Sequence, residues 1–291
     1  MRREPAGTRR SPEGLLLVDK PGGVTSHDVV DMVRRALGTR KVGHAGTLDP
    51  MATGLLLVGV GRATRLLRFL GDLPKTYEGT GVLGVETTTL DADGEATRTA
   101  PLTAPREDLE RAAAALVGES MQRPPAYSAV KVGGRKLYDA ARRGEALEAE
   151  PRPIRVDAFE ILAFDPPAFG FRVTCSGGTY VRVLVADIGS ELGCGAHLGG
   201  LRRTAIGPFS VVDATPVGEP GQPLPLERAV GHLPRVDLEE PEEAGAAANG
   251  SILAPAGLEG PYGVFAPDGR LIGVWRDEGA KARPEMVLGP G

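Results

Sequence analysis

The chain has 291 residues. That is enough for two domains at roughly 150 residues each and for a sizeable buried core. Hydrophobic residues make up 41% and charged residues 25%, which excludes wholesale disorder. Net charge is −4, unevenly spread: residues 237–291 hold four basic and ten acidic residues, leaving +2 on the rest, so local basic patches keep a nucleic-acid partner open.

Residues 1–13 read as a disordered basic tail with no secretory apolar stretch. Leu15–Val18 is a short buried strand that runs into the turn Lys20-Pro21-Gly22-Gly23. Thr25 with Asp28 has the spacing of a capping box, Val29, Val33, Ala36 and Leu37 give an apolar helical face, and Gly38 is a helix stop. Residues 39–54 read as a Gly/Thr-rich loop, Leu55–Val60 as a strand and Arg62–Leu70 as a short helix. Helices follow at Glu107–Val117 and Leu137–Arg143, each ended by glycine. Strands follow at Ile154–Phe164 and Phe169–Cys175, the second from its alternating pattern. A further helix begins after Thr179, with Val181, Leu184, Val185, Ile188 and Leu192 on its apolar side.

Residues 216–225 are proline-rich loop, and Glu239–Ala248 is an acidic, alanine-rich linker or domain-entry segment. Val264–Ala266 and Leu271–Trp275, joined by Pro267-Asp268-Gly269, carry a hairpin signal. The longest apolar runs fall far short of the ~20 residues of a membrane helix. Two cysteines, Cys175 and Cys194, make neither a disulfide framework nor a cysteine zinc site, so the expectation is a cytoplasmic protein. Strands and helices mix irregularly, which predicts an α+β body over residues 14–236 and a small β-rich domain over 237–291.

The segment Val42 to Gly54 concentrates the chemistry. Three glycines allow close backbone approach, and His44 and Asp49 sit within that frame. Two readings of Asp49 compete: a functional carboxylate, or a helix N-cap followed by proline at the first helical position. No Gly-Lys-Ser/Thr follows, so this is not a phosphate loop of the Walker type, and His44 has no partner at metal-ligand spacing. Thr88–Gly94 has an incomplete calcium-loop spacing and reads as a structural turn.

Gly43–Gly54 followed by Leu55-Leu56-Leu57 resembles the signature of the TruB-type tRNA pseudouridine synthases. The resemblance extends in order through Leu17–Pro21 with Thr25-Ser26, Lys75-Thr76-Tyr77, Arg123–Lys131 with Gly134–Tyr138, Cys175–Arg182, and His197-Leu198 with Leu201–Thr204. It covers roughly residues 15–210. It implies a pseudouridine synthase fold, with a mixed and largely antiparallel sheet flanked by helices, and more weakly a PUA-like C-terminal domain. It further implies isomerisation of the uridine at position 55 in the T-loop of tRNA, without metal or cofactor, by a monomer with no obligatory protein partner and no membrane association.

By the same resemblance Asp49 is the catalytic carboxylate, acting by a covalent adduct or a glycal. Arg182 is its partner, a residue that stays charged and grips carboxylates with two hydrogen bonds. Tyr77 stacks on the everted base and is implicated in removing the C5 proton. His44 contacts RNA where the base leaves the stack, and Lys20, Tyr180 and Leu201 complete the pocket. Arg34, Arg35, Arg40, Lys41, Arg142, Arg143, Arg202 and Arg203 are candidates for phosphate contacts. Two rivals remain: an RNA-folding chaperone in which turnover is secondary, and a glycosidase-like hydrolase, which needs a second acid beside Asp49.

Overall fold

The computed structural model describes residues 12–289 except 129 and 146. The expected tail therefore lies outside the described residues for all but its last two positions. The body is built on one ten-stranded sheet. Strand β1, Gly14–Lys20, is paired along its length with β3, Thr53–Val60, which also pairs with β2, Val42–Ala45. Next to β3 comes Ala196–Ile206, then β4, Lys75–Leu83, then Ala168–Cys175, Arg152–Asp165 and Gly118–Gln122 at the far edge. Pairing is antiparallel except between β1 and Thr215–Pro216 and between β3 and Ala196–Ile206. The sheet is therefore mixed and largely antiparallel, with helices packed on it.

Helix α1, Ser26–Leu37, follows from its sequence signals. Thr25 and Asp28 form a reciprocal capping box, and Gly38 ends the helix in the left-handed conformation at φ 60°. Its apolar face, Val29, Val30 and Val33, packs on Val18, Leu56 and Val58. Each such side chain, fully buried, contributes roughly 1.5–3 kcal/mol. Helices α2, Arg106–Ala115, α3, Leu137–Ala141, and α4, Val181–Glu191, fall where periodicity placed them, with shorter ends. The helix expected over 62–70 is instead two short 3-10 turns, Gly61–Arg65 and Leu67–Leu70.

Three expectations are corrected. Residues 42–45 are not loop but strand β2. Pro50 opens no helix: Asp49 to Ala52 is a single turn closed by the Ala52 amide donating to the Asp49 carbonyl at 3.1 Å. The acidic 239–248 segment is not a linker, because Pro241–Ala248 forms helix α5, which buries Ala244 and Ala247 in a cluster with Trp275 and Tyr262.

The C-terminal strands Arg235–Asp237, Pro261–Phe265, Leu271–Glu278 and Lys281–Val287 form a separate four-stranded sheet. Its other face is not independent of the body. Phe265, Leu271, Val274, Met286 and Leu288 share one apolar cluster with Leu15, Leu17, Leu57, Leu66 and Leu70.

The junction of β3 with Ala196–Ile206 carries a glycine requirement. Gly54 sits at φ 101° opposite Arg203, and a Cβ there would run into the Arg203 main chain. Gly23, also at positive φ, faces open space. Gly23→Ala is expected to cost roughly 1 kcal/mol from backbone strain alone. Gly54→Ala should cost a further ~1–3 kcal/mol from overpacking, seen as a lower denaturant midpoint than that of Gly23→Ala.

Candidate active site

Strand β2 delivers the chain to Gly46, which turns it at φ 80°. The loop that follows is held at several points. Ser26, buried at the start of α1, accepts from the Leu48 amide at 2.9 Å. The Gly23 amide and the Lys20 ammonium both donate to the Pro50 carbonyl, at 2.9 and 3.1 Å. Leu48 and Ala52 are buried in the body's core. Asp49 therefore sits on a fixed loop, its side chain 33% exposed.

Arg182, the second residue of α4, is 5% exposed and meets that carboxylate. Its Nη1 lies 3.5 Å from Asp49 and 3.1 Å from Asp91, to which it hydrogen-bonds. Its Nη2 donates to the Tyr127 carbonyl at 2.6 Å. The two-bond grip on Asp49 is thus absent: Arg182 is shared, and its hydrogen bond goes to Asp91. Asp91 in turn accepts from the Thr89 hydroxyl and from the Asp93 amide at 3.2 Å. The 88–94 turn, which sequence offered only as structure, is the anchor of the site's guanidinium.

These groups open onto a cavity of about 320 Å³, the small end of the usual ligand-pocket range. Tyr77 enters from β4, Leu201 and Arg203 from the adjacent strand, and Tyr180 from the start of α4. Gln122 holds Tyr180 from both sides, its Oε1 accepting from the Tyr180 amide at 2.8 Å and its Nε2 donating to the carbonyl at 3.2 Å. Lys75, Arg152 and Ser128 complete much of the lining. The Ser128 hydroxyl is buried without a hydrogen-bond partner among the described residues. Thr47, Leu48, Asp49, Ser128 and Arg182 also line a wider cleft of about 780 Å³, so the cavity has a broad mouth.

Burial sets the protonation of the site. It raises the Asp49 carboxyl above its ordinary 3.8, with Arg182 opposing and Asp91 reinforcing the rise. It raises the Tyr77 phenol, with the Arg203 guanidinium beside it pulling back. It lowers the ammonium groups of Lys20 and Lys75 to about 8 each. Both lysines are tied to main-chain carbonyls, Lys20 at Pro21, Val24 and Pro50 and Lys75 at Gly71 and Leu73.

Asp49, Arg182, Tyr77, Tyr180 and Leu201 are thus brought to one cavity, and Lys20 sits behind the loop as its fastener. His44 is elsewhere: it pairs with Val58 within the sheet and is not in the cavity lining. Arg203, a candidate for phosphate contact, is 1% exposed and donates to the Leu55 and Gly46 carbonyls at 2.7 and 3.1 Å. It is a wall of the cavity, not a surface phosphate contact. Arg202 forms a two-bond ion pair with Asp19 at 3.0 and 2.7 Å, and Arg143 pairs with Glu145 at 2.8 Å. Arg40, Lys41 and Arg142 are exposed, Arg142 stacked over Tyr138 beside the wider cleft. Among the described residues no group of three or more His, Cys, Asp or Glu could hold a metal, and no helix is long and apolar enough to cross a membrane.

The architecture is shared with known structures. A crystal structure of an archaeal box H/ACA sRNP Nop10-Cbf5 complex superposes with a TM-score of 0.72 at 25% identity, over 99% of this chain and 89% of that one. A Cbf5-Nop10-Gar1 complex gives 0.70 at 26%, over 95% and 85%. Fold and cavity together define a pseudouridine synthase. The N-terminal-domain model of the TruB family of pseudouridylate synthases matches residues 34–181, and two C-terminal models of tRNA pseudouridine synthase II or B match 233–289 and 182–217. A "tRNA pseudouridine synthase B" of Mycobacterium sp. (strain KMS) is 47% identical, covering 95% of this chain and 96% of the relative. One of Thermobifida fusca (strain YX) is 45% identical, covering 95% and 98%. The chain belongs to the TruB family.

The charge arrangement predicts opposite stability effects for its two partners. A carboxyl whose folded value is raised favours folding fully below pH 3.8 and loses that contribution as pH rises through the raised value. Asp49→Asn should therefore melt at or above the wild type at neutral pH, with the difference closing on acidification. Arg182→Met leaves two carboxylates facing each other and should lose about 3–5 kcal/mol in denaturant titrations.

Proposed function

We propose that this protein isomerises uridine to pseudouridine in tRNA, at position 55 of the T-loop, and that Asp49 is the carboxylate that acts on the everted nucleotide. The observation that carries this reading is the acid of the cavity: Asp49 is the one carboxylate in the lining among the described residues, and the Arg182 guanidinium stands 3.5 Å away. The curated relatives are named tRNA pseudouridine synthase B.

The chemistry breaks the bond between C1′ of the ribose and N1 of uracil, turns the base, and joins C1′ to C5. The proton on C5 is lost and a proton is gained at N1. A carboxylate near C1′ must be ionised to assist the departure of the base. Burial works against ionisation, and Arg182 and Lys20 work for it. The detached uracil must stay in place while it turns, which suits a cavity of this size walled by Tyr77 and Leu201. Burial keeps the Tyr77 phenol protonated, so the ring packs on the base first. For the C5 proton to leave through Tyr77, the phenol must shed its own proton, and Arg203 lowers the cost of the resulting phenolate.

A base can reach such a cavity only by leaving its stack, at a cost of a few kcal/mol that stacking on an aromatic ring helps offset. An RNA loop provides a base for which that cost is small. The hydrolase rival asks for a second acid at the cavity, and the nearest, Asp91, is engaged by Arg182 and Thr89.

The test is modification of a T-stem-loop RNA in vitro, mapped to the nucleotide. One pseudouridine at position 55 is expected, without free uracil; uracil release or a different mapped site would overturn the assignment. Asp49→Asn should slow the bound RNA's conversion by at least about a thousandfold while still binding it. A folded Asp49→Asn with near-wild-type turnover would remove Asp49 from the chemistry. Tyr77→Phe keeps the stacking ring and should slow turnover by roughly a hundred- to ten-thousandfold with affinity maintained. The acid limb of the rate profile should fall above 3.8, because the free-enzyme Asp49 is held above that value.

A further inference from the structure

The cavity is more positive than the chemistry of Asp49 requires. Lys75, Arg152, Arg182 and Arg203 line it, against Asp49 alone. Arg182 is matched by Asp49 and Asp91. Lys75 and Arg203 are buried and spend their protons on main-chain carbonyls. Arg152 differs from all three. It is half-buried at the start of its strand and forms no salt bridge with any described residue. Arginines at the same edge of the sheet do find carboxylates: Arg155 has Asp157 at 2.6 Å, and Arg123 has Glu148 at 2.7 Å. An unmatched guanidinium in a ligand cavity is an anion site waiting for its anion.

The Arg152 side chain is nevertheless held in place. Its guanidinium stands 5.0 Å from the centroid of the Tyr180 ring and donates to the Gly178 carbonyl. Gly178 makes that approach possible, since a Cβ there would press on the guanidinium at 3.3 Å and the backbone sits at φ 83°. One of five N–H donors is used, and the rest remain for a ligand. On the same ring Arg182 stands at 5.7 Å, so Tyr180 links the two guanidinium groups. One of them serves the Asp49 carboxylate; the other lines the same cavity with no carboxylate of its own among the described residues.

We propose that Arg152, clamped by Tyr180 and Gly178, binds a phosphate flanking the everted uridine and so fixes the sugar over Asp49 while the base turns. It is a positioning residue. The proposal rests on the function given above and names the part of the substrate that this side of the cavity holds. When the glycosidic bond is broken, the base and the ribose are no longer joined, and the phosphates on either side remain handles by which the ribose can be kept in register. A charged grip on one of them answers that need.

The experiment compares wild type and Arg152→Gln on T-stem-loop RNAs carrying either a natural phosphate or an uncharged methylphosphonate at each side of the target uridine. Affinity is measured across a salt series. Arg152→Gln should weaken binding of the natural RNA roughly tenfold or more and reduce the slope of log affinity against log salt by about 1. One methylphosphonate should weaken wild-type binding by a similar factor and cost Arg152→Gln nothing further. Arg152→Lys, which keeps the charge, should recover the salt slope, and it separates loss of a contact from loss of fold. Equal methylphosphonate penalties in wild type and Arg152→Gln, or an unchanged affinity and slope in Arg152→Gln, would overturn the proposal. Failure of the wild type to convert the natural RNA would instead overturn the proposed function, so the two are told apart.

Discussion

One guanidinium between two carboxylates governs the site. Arg182 is almost fully buried, and a buried charge is tolerable only when matched and hydrogen-bonded. Asp91 supplies the hydrogen bond and Tyr127 the carbonyl, which leaves Asp49 as the looser partner. That asymmetry suits a working carboxylate. A strong two-bond pair would hold Asp49 ionised but also hold it away from a ligand. The longer contact gives the field of the cation without occupying both oxygens. The elements that fix this triad come from three distant parts of the chain, the loop after β2, the 88–94 turn and the start of α4. The cavity therefore exists only once the whole body has folded.

Much of this could be read in the sequence where local rules dominate. Thr25, Asp28 and Gly38 announced α1 because capping chemistry is contained within a few residues. The motif residues Asp49, Tyr77, Tyr180, Arg182 and Leu201 carry the family resemblance, and the fold brings them to one cavity. What stayed hidden was set by partners elsewhere in the chain. The segment 79–83 has no strand-like apolar alternation because Gly79 and Gly81 face Phe171 and Phe169 on the neighbouring strand, whose rings fill the space a Cβ would take. The rings cover for the glycines. Asp91 looked like turn chemistry because nothing nearby in sequence reveals an arginine 91 positions later. In the sequence Arg203 reads like its neighbour Arg202, and only strand alternation in the finished sheet buries one and leaves the other half-exposed.

The lysines show how the same burial serves structure rather than chemistry. Lys20 and Lys75 both lose basicity on being enclosed, and each is compensated by main-chain carbonyls at a chain reversal. An apolar residue of similar length would fill the space but would leave the carbonyls of Val24 and Gly71 without those donors. The lysines are better understood as pins that close two turns on either side of the cavity than as participants in proton transfer.

The apolar cluster common to the C-terminal sheet and the body carries a consequence for the history of the molecule. Leu57, on the strand that pairs with β2, touches the same oil as Phe265 and Met286. A tail seated this way cannot be exchanged like a bead on a string. Any graft or loss would strip the backing from the strand that follows the Asp49 loop, so the two ends of the chain are bound to change together.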